Sequence, residues 1–461
     1  MKWLTPAFLA LAGLGIPHLQ AAPQCLIISG GGNVEVTRRE YYHDCAFVYL
    51  IQSQRGIDPI VVAEDGQWSF VQNPERSFPA FTMEDLESAF ALLASGLEPG
   101  DPVDIHISDH GDWAPEGEPA WNGSFILYHP SVDQPWLQVS HQAFMDLIRR
   151  HIPVANPVRL TGSYCFSGGI HQVAFELPHV VCSTLTDLRS VSIRREGPAF
   201  TYTNAVWGTF QVSRRNTPRT LYHAHWEAMT GERMNEGRGS LSSMAYVDSV
   251  LKRGSYSELP AMAGVSSCEK HAHLVHAGEV ERLIGLSFDQ PAHAPANAPS
   301  PEAEEGWQTL ANAATLRTVE EGEEDTWTLL SRPELDQPPL PALAPERAAM
   351  LKLLQADLAR DYRQARKAYD SSALAYKRQL LQMEAQWNGM SWFQRALYTA
   401  LPSLSGRQDW EARTQFDLSQ YSHILRRAES LQNILAFLGT ATPNEIDKFF
   451  QLFSQELAPL A

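Results

Sequence analysis

The sequence predicts an α/β fold in which a mostly parallel sheet carries helices on both faces, in three α/β/α layers, followed by an all-α C-terminal domain. Three observations predict it. Short apolar runs (Leu26-Ile27-Ile28, Ile60-Val61-Val62, Val103 to Ser108, Val158 to Thr161 and Val180 to Thr184) alternate with stretches of helical spacing. That rhythm lays strands side by side in parallel with helices between them. Two of the runs end in chemistry-bearing residues, Asp109-His110-Gly111 and Gly162-Ser163-Tyr164-Cys165-Phe166-Ser167-Gly168-Gly169. From Glu346 onward, Leu351, Leu354, Leu358, Tyr362, Ala365 and Tyr369 recur at three and four residues, as in a helical bundle.

Taken in order, residues 1–22 have the layout of a secretory signal peptide. Lys2 precedes an apolar stretch from Leu4 to Ile16, and Ala21-Ala22 offers the cleavage point. Pro6, Pro17 and two glycines make this a poor spanning helix, which needs about 20 apolar residues. The chain is therefore expected to be exported, periplasmic or secreted, with no membrane span.

Residues 23–289 form the first folded domain. After the first strand and Gly30-Gly31-Gly32, Thr37 to Arg55 is expected to be helical, with Tyr41, Cys45, Val48, Tyr49 and Gln52 on one side. Met83 to Leu97 is an amphipathic helix with Thr82 as N-cap and Asp85 three residues on. Trp113 to Pro135, rich in Trp, Gly and Pro, reads as a long loop with room for a hairpin, and Ser140 caps a helix to His151. Residues 290–345 are a proline-rich and acidic linker. Residues 346–461 are the helical C-terminal domain, with breaks at Asn388-Gly389, Pro402 to Gly406 and Gly439 to Pro443.

A length of 461 residues implies two or three domains, and a hydrophobic content of 44% is ample for their cores. The formal charge of −17 argues against nucleic acid as a partner, since phosphate is neutralised by basic surface. Of the five cysteines, an odd number leaves at least one thiol unpaired in an oxidising compartment. Two disulfides would leave Cys165 free; Cys45 and Cys182 fit equally as buried core thiols.

A thiol attacks only as thiolate, so a neighbouring imidazole that takes its proton makes a nucleophile of it. The same imidazole returns the proton to the leaving group. His110 and Cys165 are separated by room for one loop, one helix and the next strand, as adjacent parallel strands require. Sites in such sheets form where the carboxyl ends of strands meet loops. The candidate catalytic residues are thus Cys165, His110 and Gly111, with the amides of Gly111 and Cys165 as oxyanion donors.

Asp109-His110-Gly111 after one apolar strand, with Cys165 and Ser167-Gly168 after another, resembles the legumain/caspase-like cysteine peptidases, with the legumain type closest. Leu26 to Gly30 and Arg39 to Tyr49 resemble the first strand and following helix of legumain; the likeness covers roughly Cys25 to Phe210. It implies a caspase-like sandwich and an endopeptidase working through a thioester acyl-enzyme on peptide or protein substrate. Arg39, six residues before Cys45, corresponds to an arginine lining the specificity pocket, although beside Arg38 and Glu40 it fits a solvated ion pair as well. Asp109, Ser163 and Asp187 are the other substrate-binding candidates; Asp109 and Asp187 also fit ordinary turn positions. The flanks differ from legumain: Ser163 and Phe166 stand where acidic residues are usual, and Tyr164 replaces an alanine. The resemblance thus implies the chemistry more than a preference for Asn or Asp.

Legumain-type zymogens carry a helical C-terminal part that blocks the cleft, so the layout implies contact of the C-terminal domain with the active site. Two other functions compete: a catalytically altered caspase-like scaffold binding a partner in the cell envelope, and a peptide ligase or transpeptidase. Cys268, His271, His273 and His276 lack a second arm for a zinc site. Gly30-Gly31-Gly32 lacks the Lys-Ser/Thr of a phosphate loop. No metal and no cofactor are assigned.

Overall fold

The computed structural model describes residues 23–30, 35–64, 66–128, 136–188, 192, 220–231, 239–251, 283–288, 342–364, 389–391, 394, 427–428 and 430–459, and the structural statements below concern these. The leader 1–22, the Cys268 to His276 cluster and nearly all of the 290–345 linker lie outside them.

Seven strands form the main sheet. They are β1 (Gln24–Ser29), β2 (Ile60–Ala63), β3 (Ser77–Phe78), β4 (Val103–Ser108), β8 (Val158–Ser163), β9 (Val180–Thr184) and β10 (Ser240–Leu241). Their order is β10-β9-β8-β4-β1-β2-β3, parallel throughout except for β10 at its edge. Helix α1 (Glu35–Gln54) crosses from β1 to β2, α2 (Met83–Ser95) leads to β4, and α3 (His141–His151) leads to β8. The sequence signals for α2 and α3 act as expected. Thr82 and Asp85 form a reciprocal capping box, and the Ser140 hydroxyl accepts from the Ala143 amide.

Alternation along the strands sorts the side chains into two cores. Leu26, Ile28, Ile105, Ile107 and Leu160 face α2 and α3 on one side. Cys25, Ile27 and Val61 face α1 and the helices Leu221–Gly231 and Ser242–Leu251 on the other. An α/β sandwich with a mostly parallel sheet and a helical C-terminal part is therefore the architecture. Within the Trp113 to Pro135 stretch, expected as a long loop with room for a hairpin, residues 113–123 are loop and Ser124–Tyr128 is a strand that pairs with its flanking strands. β5 (Gly111–Asp112), β6 (Ser124–Tyr128) and β7 (Trp136–Ser140) make a three-stranded antiparallel sheet between β4 and α3.

On the α1 side, the two central strands are polar at every position that faces the helix. Asp104 lies opposite Arg159, His106 opposite Thr161 and Ser108 opposite Ser163. Arg159 donates to Asp104 at 2.6 Å, and His106 Nδ1 bonds Thr161 Oγ1 at 2.8 Å. Helix α1, with Arg55 just past its end, meets the first and last of these rows through pairs three residues apart, which share one helical face. Arg55 and Gln52 reach Asp104, Asp44 accepts from the Ser108 hydroxyl at 2.9 Å, and the Tyr41 ring meets His110 edge-on.

The helical stretches 345–364 and 430–440 and the C-terminal helix Pro443–Glu456 lie on this same side. Leu351, Leu358, Ile434, Phe437, Phe449 and Phe453 join the core that contains Cys25 and Ile27. The C-terminal helix docks on Ser242–Leu251, with Gln455 bonding the Pro178 carbonyl at the amino end of β9. Among the described residues, no helix is long and apolar enough to cross a membrane.

Glu456 enters this core with no exposure, its carboxylate accepting from the Ser243 amide and hydroxyl at the amino end of Ser242–Leu251. Burial pushes its pKa up from 4.5 to about 8. The folded chain therefore holds a proton that the unfolded chain releases, so this contribution is complete below pH 4.5 and is lost as pH rises through about 8. Between those limits the protein should lose stability on the order of a few kcal/mol. Denaturant midpoints across this range should fall for the wild type, and Glu456→Gln should flatten the fall.

Candidate active site

His110 and Cys165 occupy equivalent places on neighbouring strands. Ser108, the last residue of β4, is in register with Ser163, the last of β8, and each candidate lies two residues beyond its serine. The bond from the Asp109 amide to the Ser163 carbonyl, 3.3 Å, carries the pairing one step past the strands. Gly111 then packs its backbone on the turn that bears Cys165. A Cβ built on Gly111 would lie 2.0 Å from the Cys165 carbonyl oxygen, so only glycine permits this approach.

The turn bearing Cys165 is held from both sides. Before it, the buried Tyr164 hydroxyl bonds His141 Nε2 at 3.1 Å, and His141 Nδ1 bonds the Trp121 carbonyl at 2.8 Å. A carbonyl accepts only, so Nδ1 carries the proton and Nε2 receives the phenol's. Burial pushes the His141 pKa down to about 4, which keeps the ring neutral in this arrangement. After the cysteine, the Thr186 hydroxyl donates to the Tyr164 carbonyl and accepts from the Ser167 amide. Gly168 fits against the backbone of Asp187, where a Cβ would approach to 2.6 Å.

Between these anchors the chain is strained. Phe166 is left-handed at φ 59°, ψ 17°, a region that costs a residue with a Cβ on the order of 1–3 kcal/mol. Its buried ring stacks on Trp113 with centroids 4.1 Å apart. Cys165 is half-buried, and its sulfur accepts from the Ser192 amide at 3.1 Å and donates to the Ser192 carbonyl at 3.9 Å. Cys25, Cys45, Cys165 and Cys182 are all free thiols, and the other three are fully buried. The two-disulfide alternative therefore finds no pair among the described residues, and Cys45 and Cys182 sit as core thiols. Burial pushes the Cys25 and Cys182 thiols up, away from ionisation.

The remaining candidates divide. Asp109 is 2% exposed and works as a bridge, its carboxylate accepting from the Gly30 amide at 2.6 Å and the His110 amide at 2.7 Å. Ser163 is buried at the end of β8. Both therefore position the loops, and neither presents surface to a ligand in this conformation. Asp187 is half-buried behind Gly168. Arg39 lies in the first turns of α1, and its side chain is outside the described residues. Sequence reasoning missed Trp113, His141, Thr186 and Ser192. Trp113 carried a legible signal as an aromatic three residues beyond His110, whereas the other three are joined to Cys165 only by folding. Among the described residues, no group of three or more His, Cys, Asp or Glu is placed to hold a metal ion.

No family model matches the chain, and no curated protein matches it. Among solved structures it is similar to protein GSU0716 from Geobacter sulfurreducens. The identity is 10% and the TM-score 0.32, over 48% of this chain and 92% of that one.

Two outcomes test this geometry. Gly111→Ala should push β5 off the Cys165 turn and destabilise the fold by about 1–3 kcal/mol, read from denaturant midpoints. In the native protein iodoacetamide should alkylate Cys165, while Cys25, Cys45 and Cys182 react only after unfolding, as peptide mapping would show.

Proposed function

We propose that this chain is an exported cysteine endopeptidase of legumain/caspase-like type, with Cys165 as nucleophile and His110 as general base and acid. The observation that carries the reading is the shared register of the two residues at the carboxyl ends of adjacent parallel strands. The Ser192 amide beside the sulfur and the half-exposure of Cys165 alone among four described cysteines add to it. Export rests on the leader-like residues 1–22.

In the proposed reaction His110 takes the Cys165 proton, and the thiolate adds to the scissile carbonyl carbon. The resulting oxyanion accepts hydrogen bonds from the amides of Gly111 and Cys165. Collapse of the adduct breaks the C–N bond, and His110 passes the proton to the departing amine, leaving a thioester on Cys165. His110 then deprotonates water, which attacks the thioester and releases the acid and the free thiol. Neutral His141 and the Asp109 bridge hold the two loops in place and exchange no proton in these steps. Arg39 remains the proposed contributor to the specificity pocket.

Contact of the C-terminal domain with the active site, expected from the layout, is not made by its last helix, and residues 365–388 and 395–426 of that domain lie outside the described residues. The helix Pro443–Glu456 docks by the Pro178 end of β9, opposite the end of the sheet that carries Cys165, and supplies core residues to the fold.

Cleavage of a randomised peptide library by the full chain tests the reading. Wild type should cut, Cys165→Ala should not, and His110→Ala should fall by about 10²–10⁴-fold. Undiminished cleavage by Cys165→Ala would remove the thiol mechanism. If the folded wild type neither cuts nor reacts at Cys165 with a thiol electrophile, the scaffold reading takes its place.

A further inference from the structure

We infer that Trp113 and Phe166 form a platform for an aromatic or large apolar side chain of the substrate, next to the bond that Cys165 attacks. The inference rests on the peptidase reading and adds the substrate class.

Four features support it. Phe166 directly follows the nucleophile, so whatever lies on this ring pair lies beside the reacting sulfur. The indole of Trp113 stacks one face on Phe166 and is still 55% exposed, among the most exposed large apolar side chains described. A half-open indole in a soluble fold presents a flat surface that gains free energy when another ring or an aliphatic chain displaces its water. The pair is also built in advance. The Asp112 carboxylate accepts from the Trp113 amide and from the Gln138 side chain, each at 2.8 Å, which anchors the indole's backbone to β7. Phe166 keeps its left-handed backbone within a span closed by the Thr186 hydroxyl, which donates to the Tyr164 carbonyl and accepts from the Ser167 amide.

The path from His110 to the indole follows the same wall. His110 and Gly111 pass over Cys165, β5 continues through Asp112, and Trp113 closes over Phe166. The indole, the Phe166 ring and the Cys165 turn thus belong to one continuous wall, along which a peptide held for attack at Cys165 would lie. The platform itself consists of two apolar rings, and the nearby Asp112 carboxylate is held by the Trp113 amide and the Gln138 side chain. The expected preference is Phe, Tyr, Trp or Leu over Ala, Glu or Lys.

The test measures binding and cleavage separately. Blocked hexapeptides in a Gly-Ser-Ala background, each with a single Phe or with Ala in its place, are titrated by calorimetry into the folded full chain carrying Cys165→Ala. In one position, Phe should bind about tenfold tighter than Ala. Trp113→Ala should remove that difference, and Trp113→Phe should retain most of it. In the wild-type Cys165 background, Trp113→Ala should raise KM for the preferred peptide and leave iodoacetamide labelling of Cys165 unchanged. Equal binding of the Phe and Ala peptides at every position overturns the platform, as does a Phe preference that survives Trp113→Ala. The Phe-against-Ala comparison needs no change at Trp113, so it decides even if the alanine variant fails to fold. Trp113-dependent binding without any cleavage would overturn the peptidase reading and leave the platform standing.

Discussion

The pairing of β4 with β8 is the constraint on which the site depends, and one buried ion pair holds it in register. Asp104 and Arg159 face each other across the two strands, almost fully enclosed. Sliding one strand by a single residue would turn every side chain to the opposite face. Sliding it by two would part the pair and leave the buried Arg159 without its carboxylate, at about 3–5 kcal/mol. Apolar strands could slip more cheaply. The ion pair thus contributes less as attraction than as exclusion of wrong alignments. Because His110 and Cys165 stand the same number of residues beyond that pair, an alignment set near the amino ends of the strands arrives intact at their carboxyl ends.

Helix α1 reads the same alignment from above. Its Tyr41, Asp44, Gln52 and Arg55 meet His110, Ser108 and Asp104 in reverse order, so helix and strand are matched at several points along their length. Asp109 performs the corresponding task for the loops, joining the end of β1 to the His110 turn through two amides. A buried carboxylate held by two backbone amides suits a positioning group.

Much of this was legible in the sequence. The strand-helix rhythm, the Thr82 and Ser140 caps and the placement of His-Gly and Cys at strand ends all depend on residues close together in the chain. The polar face of the central strands was also written there, in the alternation of Val103-Asp104-Ile105-His106-Ile107-Ser108, but it looks like an interruption of an apolar run until α1 is seen to answer it. Strands buried on both faces of a parallel sheet are normally apolar throughout. The His141 to Tyr164 bond and the Ser192 amide beside Cys165 could not be read in advance, because they join segments that only folding brings together. The small sheet β5 to β7 was legible only as room for a hairpin, because its strands are short and its middle strand follows a stretch, 113–123, whose Trp, Gly and Pro content is that of a loop.

The C-terminal helices sharing a core with β1 have a consequence for how the protein comes into being. The strand carrying Cys25 and Ile27 is made early, yet the aromatic rings of Phe449 and Phe453 that help bury its face are made late. Arg159 and the Pro459 carbonyl it touches are 300 residues apart. Until synthesis reaches that point, a broad apolar surface has no cover, and chains in that state are prone to associate with one another. Contacts of such sequence separation also form slowly, because a long loop must close before they repay its entropy. The nascent chain should therefore depend on chaperones until its last helix is made, and a version cut short before Pro443 should be a client of proteolysis rather than a smaller working protein.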